Sequence, residues 1–141
     1  MREQFERRPV ARMKSPAGLS VLVVDDEPEI AALIEDTLGL FGHRVKKARN
    51  GRLALDLLSQ ESFDLVFSDM RMPDLDGLGL HAEIAKRWPE LLQRLVFITG
   101  DQASDETLAF LSRTGSRCLG KPFTLAELQD LVDQVAALPA R

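Results

Sequence analysis

From Leu19 onward, short apolar runs alternate with stretches in which apolar residues recur every three or four positions. Runs of the first kind suit strands and stretches of the second suit helices, whose side chains repeat at about 3.6 residues. The first run, Leu19 to Val24, is apolar apart from Ser20, as expected of a strand covered on both faces. A helix is predicted from about Pro28, a residue tolerated in a first turn. Its stripe is Ile30, Leu33, Ile34, Leu38 and Phe41, with a stop at Gly42. A short strand from about Arg44 to Ala48 leads through the Asn50-Gly51 turn into a helix carrying Leu53, Ala54, Leu57 and Leu58. The third strand, Asp64 to Ser68, ends at Asp69, and Pro73 with Asp76-Gly77 marks a loop. A third helix bears Leu80, Ile84 and Trp88 and stops before Pro89. The fourth strand, Leu95 to Ile98, ends at Thr99-Gly100, and Ser104 caps a helix with a thin stripe of Leu108 and Leu111. A weak fifth strand, Arg117 to Gly120, runs into Lys121-Pro122-Phe123. Thr124 and Glu127 then form a capping box for a last helix with Leu125, Leu128, Leu131, Val132 and Val135.

Five strands strictly alternating with five helices predict an α/β fold, a doubly wound three-layer sandwich around a parallel sheet. Ligands of such sheets bind beyond the carboxyl ends of the strands. Those ends carry Asp25-Asp26-Glu27, Asp69, Thr99 and Lys121. Singly, each has an ordinary reading: Asp25 and Glu27 as charges at a helix start, Asp69 as a turn residue, Thr99 as a loop hydroxyl, Lys121 as a surface charge. His43 and His81 stand at no strand's carboxyl end and read as surface or packing residues, as does Trp88.

The chain has 141 residues, 45% hydrophobic and 28% charged, which suits one domain with a single core. One cysteine, Cys118, excludes an intrachain disulfide and argues against a cysteine metal cluster. No apolar stretch approaches the roughly 20 residues of a membrane span, and the start lacks the apolar run of a secretory signal, so the expected location is the cytoplasm. Residues 1–18 hold Arg2, Arg7, Arg8, Arg12 and Lys14 against Glu3 and Glu6, a basic extension or linker ahead of a domain at 19–138 and a tail at 139–141. The domain itself is acidic, which argues against nucleic-acid binding.

Gathered at one face, the strand-end residues specify a chemistry. Clustered carboxylates resist joint ionisation without a cation or proton, and an all-oxygen donor set suits magnesium rather than zinc. A lysine pairs with an incoming phosphoryl oxygen, a threonine hydroxyl donates to another, and a carboxylate serves as the nucleophile that forms an aspartyl-phosphate. Asp74-Leu75-Asp76 mimics the paired acids of an aspartyl-phosphate-forming phosphatase, but it lies in a loop. A flavodoxin-type flavin site is opposed by the acids at 25–27, which would repel a flavin phosphate.

These stretches resemble the receiver domain of two-component response regulators: Val-Leu-Val-Val-Asp-Asp-Glu-Pro at 21–28, Asp-Leu-Val-Phe-Ser-Asp-Met-Arg-Met-Pro at 64–73, Asp-Gly at 76–77, Phe-Ile-Thr-Gly at 97–100 and Lys-Pro-Phe at 121–123. The resemblance covers about residues 19–138 and implies the flavodoxin-like strand order 2-1-3-4-5. It implies Asp69 as phosphoacceptor and Asp25 and Asp26 as the acidic pair around magnesium. Asp26 is then the direct ligand, Asp25 acts through water, and Asp69 and the Arg71 carbonyl complete the set. Thr99 resembles the switch hydroxyl and Lys121 the lysine that pairs with the phosphoryl group, with a cis peptide before Pro122. Arg71 and Asp101 occupy positions that tune phosphoryl hydrolysis. Where the family usually carries Tyr or Phe, three residues before the lysine, this chain has Cys118, which puts the aromatic part of the switch in doubt.

The implied function is a switch that takes a phosphoryl group from a histidine kinase or histidine phosphotransfer protein and presents the face made by its fourth helix, fifth strand and fifth helix to a downstream protein. Such a domain promotes its own phosphorylation and dephosphorylation without being a conventional enzyme. Both a stand-alone regulator and a receiver cut from a hybrid sensor histidine kinase fit, the latter through the resemblance of Lys-Pro-Phe-Thr-Leu-Ala-Glu-Leu. A phosphorylation-independent interaction module with the same fold is the alternative.

Overall fold

In the computed structural model the described residues are 18–100 and 104–139. The basic arm up to residue 17, the candidate tuning residue Asp101 and the last two residues lie outside the described residues. The element order is β1 (Ser20–Val24), α1 (Pro28–Leu40), β2 (Arg44–Ala48), α2 (Gly51–Gln60), β3 (Leu65–Asp69), α3 (Gly77–Arg87), β4 (Leu95–Thr99), α4 (Asp105–Thr114), β5 (Arg117–Gly120) and α5 (Leu125–Ala136). All neighbouring strands are parallel, in the order β2-β1-β3-β4-β5. Architecture and strand order are those the sequence implied.

Alternation along the strands divides the core in two. Leu22, Val24, Val66 and Phe97 pack against Leu55 and Leu58 of α2, Leu80 and Ile84 of α3 and Phe110 of α4. Val21, Val23, Leu65, Phe67, Val96, Ile98 and Leu119 pack against Ile34 and Leu38 of α1 and Leu128 and Val132 of α5. With β1, β3 and β4 buried on both faces, the strands read as nearly unbroken apolar runs. Ser104 and Thr124 cap α4 and α5, the latter in a full capping box. His43 is buried, and its Nδ1 accepts the Leu19 N–H at 3.2 Å, so it is a packing residue whose pKa is lowered by burial.

Several buried faces differ from the predicted stripes. On α1 the buried residues are Ala31, Ile34, Thr37 and Leu38, whereas Leu33 and Phe41 are exposed. On α2, Leu55 is buried and Leu53 exposed; on α5, Leu125 is exposed. On α4 the sheet-facing pair is Thr107 and Phe110, and Leu108 points to solvent. Periodicity selects a set of apolar positions, but the rotation of each helix on the sheet decides which arc is covered, and small residues such as Ala31 sit where the backbones approach. A 3₁₀ helix at Pro89–Arg94, which the apolar pattern does not announce, precedes β4. It buries Leu91 and Arg94, and the Arg94 guanidinium donates to the carbonyls of Asp64 and Pro139.

The buried face of α4 is directly testable. Phe110→Ala should lower unfolding stability by about 3–5 kcal/mol, as for a buried aromatic truncated to alanine. Leu108→Ala should stay within about 0.5 kcal/mol of wild type in urea melts. Equal losses would return Leu108 to the core.

Candidate functional site

The carboxyl ends of β1, β3, β4 and β5 place their polar residues around one cleft of about 430 Å³, lined by Asp26, Glu27, Asp69, Arg71, Thr99 and Lys121 among others. The register delivers this arrangement. Val24 lies beside Ser68 and Asp69 beside Ile98, so Asp25 and Asp69 leave adjacent strands at nearly the same level. Here β3 runs one residue further than predicted, and Asp69 ends the strand with little exposure.

After Asp69 the chain turns back on itself. The Gly77 N–H donates to the Met70 carbonyl at 3.0 Å. A β-carbon at Gly77 would come within 2.9 Å of the Met70 Cα and 3.0 Å of the Asp69 carbonyl oxygen, so only glycine fits this return. Asp76 caps α3 by accepting the Gly79 N–H at 2.9 Å, and Asp74 occupies a left-handed turn at φ 68°. Asp76 is thus engaged in capping, and neither acid ends a strand, as the phosphatase pairing would need.

Asp25, Glu27 and Asp69 each offer a carboxylate oxygen, all within 4.8 Å of one another. Asp25 is buried; its Oδ1 accepts the Glu27 N–H at 2.8 Å, while its Oδ2 has no hydrogen-bond partner. Burial, reinforced by the Asp69 and Glu27 charges, pushes its pKa up to about 6 against the opposing Glu27 N–H and Lys121. Burial likewise raises Asp69, with Asp26 and Glu27 adding to the effect, although Lys121 and the Arg71 N–H, 3.4 Å from Oδ1, pull the other way. Partial burial would lower the Lys121 pKa, but its bond to Glu27 and the charges of Asp69 and Asp25 outweigh it, and the ammonium is held protonated.

Asp26 is exposed on the rim of the same cleft, outside that close trio. Arg71 also lines the cleft and is exposed, and Thr99 is half-buried within it. The Lys121–Pro122 peptide bond is cis. Cys118 is exposed on β5 beside Phe97, and aromatic packing on that face comes from Phe97, Phe110 and His81 instead. The Phe110 ring centroid stands 5.0 Å from that of His81 and 5.6 Å from that of Phe97, both edge-to-face.

Glu27, named at the first strand end and read from the sequence only as a charge at the helix start, has a different partner in the structure. It holds the position before α1 but makes no capping bond with its side chain. Instead its Oε1 accepts from the Lys121 Nζ at 2.7 Å, while Asp69 Oδ2 lies 4.0 Å from the same nitrogen. The signal was available in principle: a third acid at a strand end that faces a lysine. Nothing in the spacing says that its side chain turns away from the helix.

Comparison with known proteins agrees with this fold. Residues 21–133 match the family model described as response regulator receiver domain. The response regulator protein PilR of Pseudomonas aeruginosa is 40% identical over 111 residues, 79% of this chain and 24% of that protein. The sensor histidine kinase RcsC of Salmonella typhimurium is 36% identical over 122 residues, 86% of this chain but 12% of that protein. The chain thus spans a quarter or less of either relative. Among solved structures, the Vibrio cholerae chemotaxis protein CheY4 superposes with a TM-score of 0.74 at 28% identity, covering 84% of this chain and 99% of that one. NtrX from Brucella abortus superposes with a TM-score of 0.76 at 33% identity, covering 84% of this chain and 27% of that one.

The raised Asp25 pKa makes a signed prediction. A carboxyl lifted from 3.8 to about 6 on folding favours the native state fully below pH 3.8, and this contribution is lost as pH rises through 6. Asn at this position keeps an oxygen for the Glu27 N–H and carries no charge. In chelator-treated protein, Asp25→Asn should therefore be more stable than wild type at pH 8, by about 1–3 kcal/mol at ~1.4 kcal/mol per pKa unit. The gain should vanish toward pH 4. Thermal melts across this range test it; a gain that is constant with pH would mean that ionisation of Asp25 is not its source.

Proposed function

The chain belongs to the response regulator receiver domain family, and we propose that it is a phosphoacceptor: Asp69 takes a phosphoryl group from a phosphohistidine donor in a magnesium-dependent reaction. The observation that carries this reading is the Asp69 carboxylate itself, set at the mouth of a central strand with its Oδ2 4.0 Å from the Lys121 ammonium. An Asp69 oxygen attacks phosphorus in line with the phosphorus–nitrogen bond of the donor. That bond breaks, its electron pair stays on the imidazole nitrogen, which is protonated, and an acyl phosphate remains on Asp69. Hydrolysis reverses the charge: water attacks phosphorus, the carboxylate leaves with the bonding electrons, and inorganic phosphate departs.

The acids fit a hard divalent cation. The donor set is entirely oxygen, and the Asp25 Oδ2 is buried without a partner. In this reading Asp69, the Arg71 carbonyl and Asp26, which reaches in from the exposed rim, would hold magnesium, with Asp25 acting through water, and the ion would supply neutralising charge to the transferred oxygens. Lys121 pairs with one phosphoryl oxygen and Thr99 donates to another. The α4-β5-α5 face, with Leu108 and Cys118 exposed, then presents an altered surface to a downstream protein. A histidine kinase or histidine phosphotransfer protein is the donor, in keeping with relatives of both the regulator and the sensor-kinase kind. Arg71, on the lip of the cleft, and Asp101 tune the access of water. No helix among the described residues is long and apolar enough to cross a membrane.

Incubation with acetyl phosphate and magnesium, followed by intact-mass measurement, should give one phosphoryl adduct on wild type and none on Asp69→Asn. An adduct of equal yield on Asp69→Asn would remove Asp69 as acceptor. Absence of any adduct on wild type, with phosphorylated kinase as donor as well, would leave the interaction-module reading instead.

Magnesium binding has its own expected outcome. A ligand that binds only the folded state raises its stability by RT ln(1 + [L]/Kd), about 2.7 kcal/mol at a hundredfold excess over Kd. Millimolar magnesium should raise the melting temperature of wild type and do so much less for Asp26→Asn. Equal shifts in the two proteins would strike Asp26 from the ligand set.

A further inference from the structure

We propose that Glu27 is a positioning residue that holds Lys121 off the acceptor in the resting domain and so sets how readily Asp69 is phosphorylated. The inference rests on the phosphoacceptor reading and adds to it a competitor for the lysine. In the resting geometry the Lys121 Nζ donates to Glu27 Oε1 at 2.7 Å, whereas Asp69 Oδ2 is 4.0 Å away, beyond hydrogen-bond reach. The choice is not forced by reach, because both carboxylates border the cleft that Lys121 enters.

Two features make Glu27 effective as the competitor. Its backbone is pinned, since its N–H donates to Asp25 Oδ1, which fixes where the side chain starts. Its side chain makes no cap bond to α1, so its carboxylate is available to the lysine. The exposures differ as well: the Glu27 side chain is 56% exposed and that of Asp69 10%. A lysine that pairs with the outer carboxylate keeps more of its hydration than one drawn inward to Asp69. A phosphoryl oxygen on Asp69 would compete with Glu27 for the Lys121 ammonium, which already donates to Glu27. The pair therefore lies on the path of activation and opposes it.

The opposition is modest in size. An exposed ion pair of this kind is worth up to ~1 kcal/mol, which is about fivefold in an equilibrium or a rate. Removing the charge should shift the lysine toward Asp69 and speed phosphoryl uptake by about two- to fivefold. Loss of a negative charge near an anionic donor would also speed uptake without any lysine, so the test must separate the two effects.

The experiment is a double-mutant cycle with acetyl phosphate as donor, comparing wild type, Glu27→Gln, Lys121→Met and the double variant, together with NMR of the Lys121 side chain in metal-free protein. Glu27→Gln should raise the uptake rate in the presence of Lys121 and leave it unchanged in the Lys121→Met background. In metal-free protein the Lys121 Cε and Hε signals should shift on Glu27→Gln, and Glu27→Asp, whose shorter arm keeps the charge, should fall between. An equal acceleration with and without Lys121 would assign the effect to charge repulsion alone and overturn the proposal. Unmoved Lys121 signals would overturn it even if uptake in the Lys121→Met background were too slow to measure. A loss of magnesium affinity of more than about tenfold, the equivalent of 1.4 kcal/mol, would make Glu27 a metal ligand instead. If wild type took up no phosphoryl group at all, the phosphoacceptor reading would fail, while the lysine signals would still report on the pair.

Discussion

Carboxylate oxygens of Asp25, Glu27 and Asp69 within 4.8 Å of one another, with one lysine ammonium against them, are the constraint on which the rest of this structure turns. Like charges at that distance are unfavourable, more so where burial strips them of water. The sheet imposes the arrangement regardless. β1 and β3 are hydrogen-bonded neighbours in fixed register, so acids that follow their last apolar residues emerge together. The loop after β3 cannot relax outward, because Gly77 is packed against the backbone of Met70 and Asp69. Burial raises the pKa values of Asp25 and Asp69, and the neighbouring carboxylates add to the effect.

A site so arranged is poor at being empty and good at accepting positive charge. The unpartnered Asp25 oxygen and the all-oxygen donors suit a hard cation. The lysine offsets part of the repulsion in its absence. In the resting structure it pairs with Glu27, whose side chain is far more exposed than that of Asp69.

On the far side of the cleft, the α4 face is organised differently from what the strand-end residues alone suggest. With Cys118 on β5, the ring packing next to β4 is supplied by α4 and α3, where Phe110 meets Phe97 and His81 edge-to-face. Thr107, in the first turn of α4, lines the same cleft as Thr99, and its Oγ1 accepts from the Ser104 Oγ at 3.1 Å. Relatives of the regulator and the sensor-kinase kind both contain a domain of this sequence type within much longer chains. The acidic cleft and its lysine lie within residues 21–133, the stretch of this chain that matches the family model.

What the sequence determined by itself was everything that depends on local order and on the ends of strands. The alternation of apolar runs with helical periods specified five βα units. The residues after each run specified that Asp25, Asp26, Asp69, Thr99 and Lys121 would share one face, because parallel strands all end on the same side. Side-chain caps at Ser104 and Thr124 were legible for the same reason, being settled within four residues. Tertiary structure decided what depends on rotation and on competition between distant groups. It covered Ala31 and Thr37 in place of Leu33 and Phe41, and Phe110 in place of Leu108, because each helix turns to fit the sheet it meets rather than its own average hydrophobicity. It also gave Lys121 to Glu27, a partner 94 residues away in the chain. Neither that pairing nor the relative burial of the two carboxylates exists until the strands are side by side.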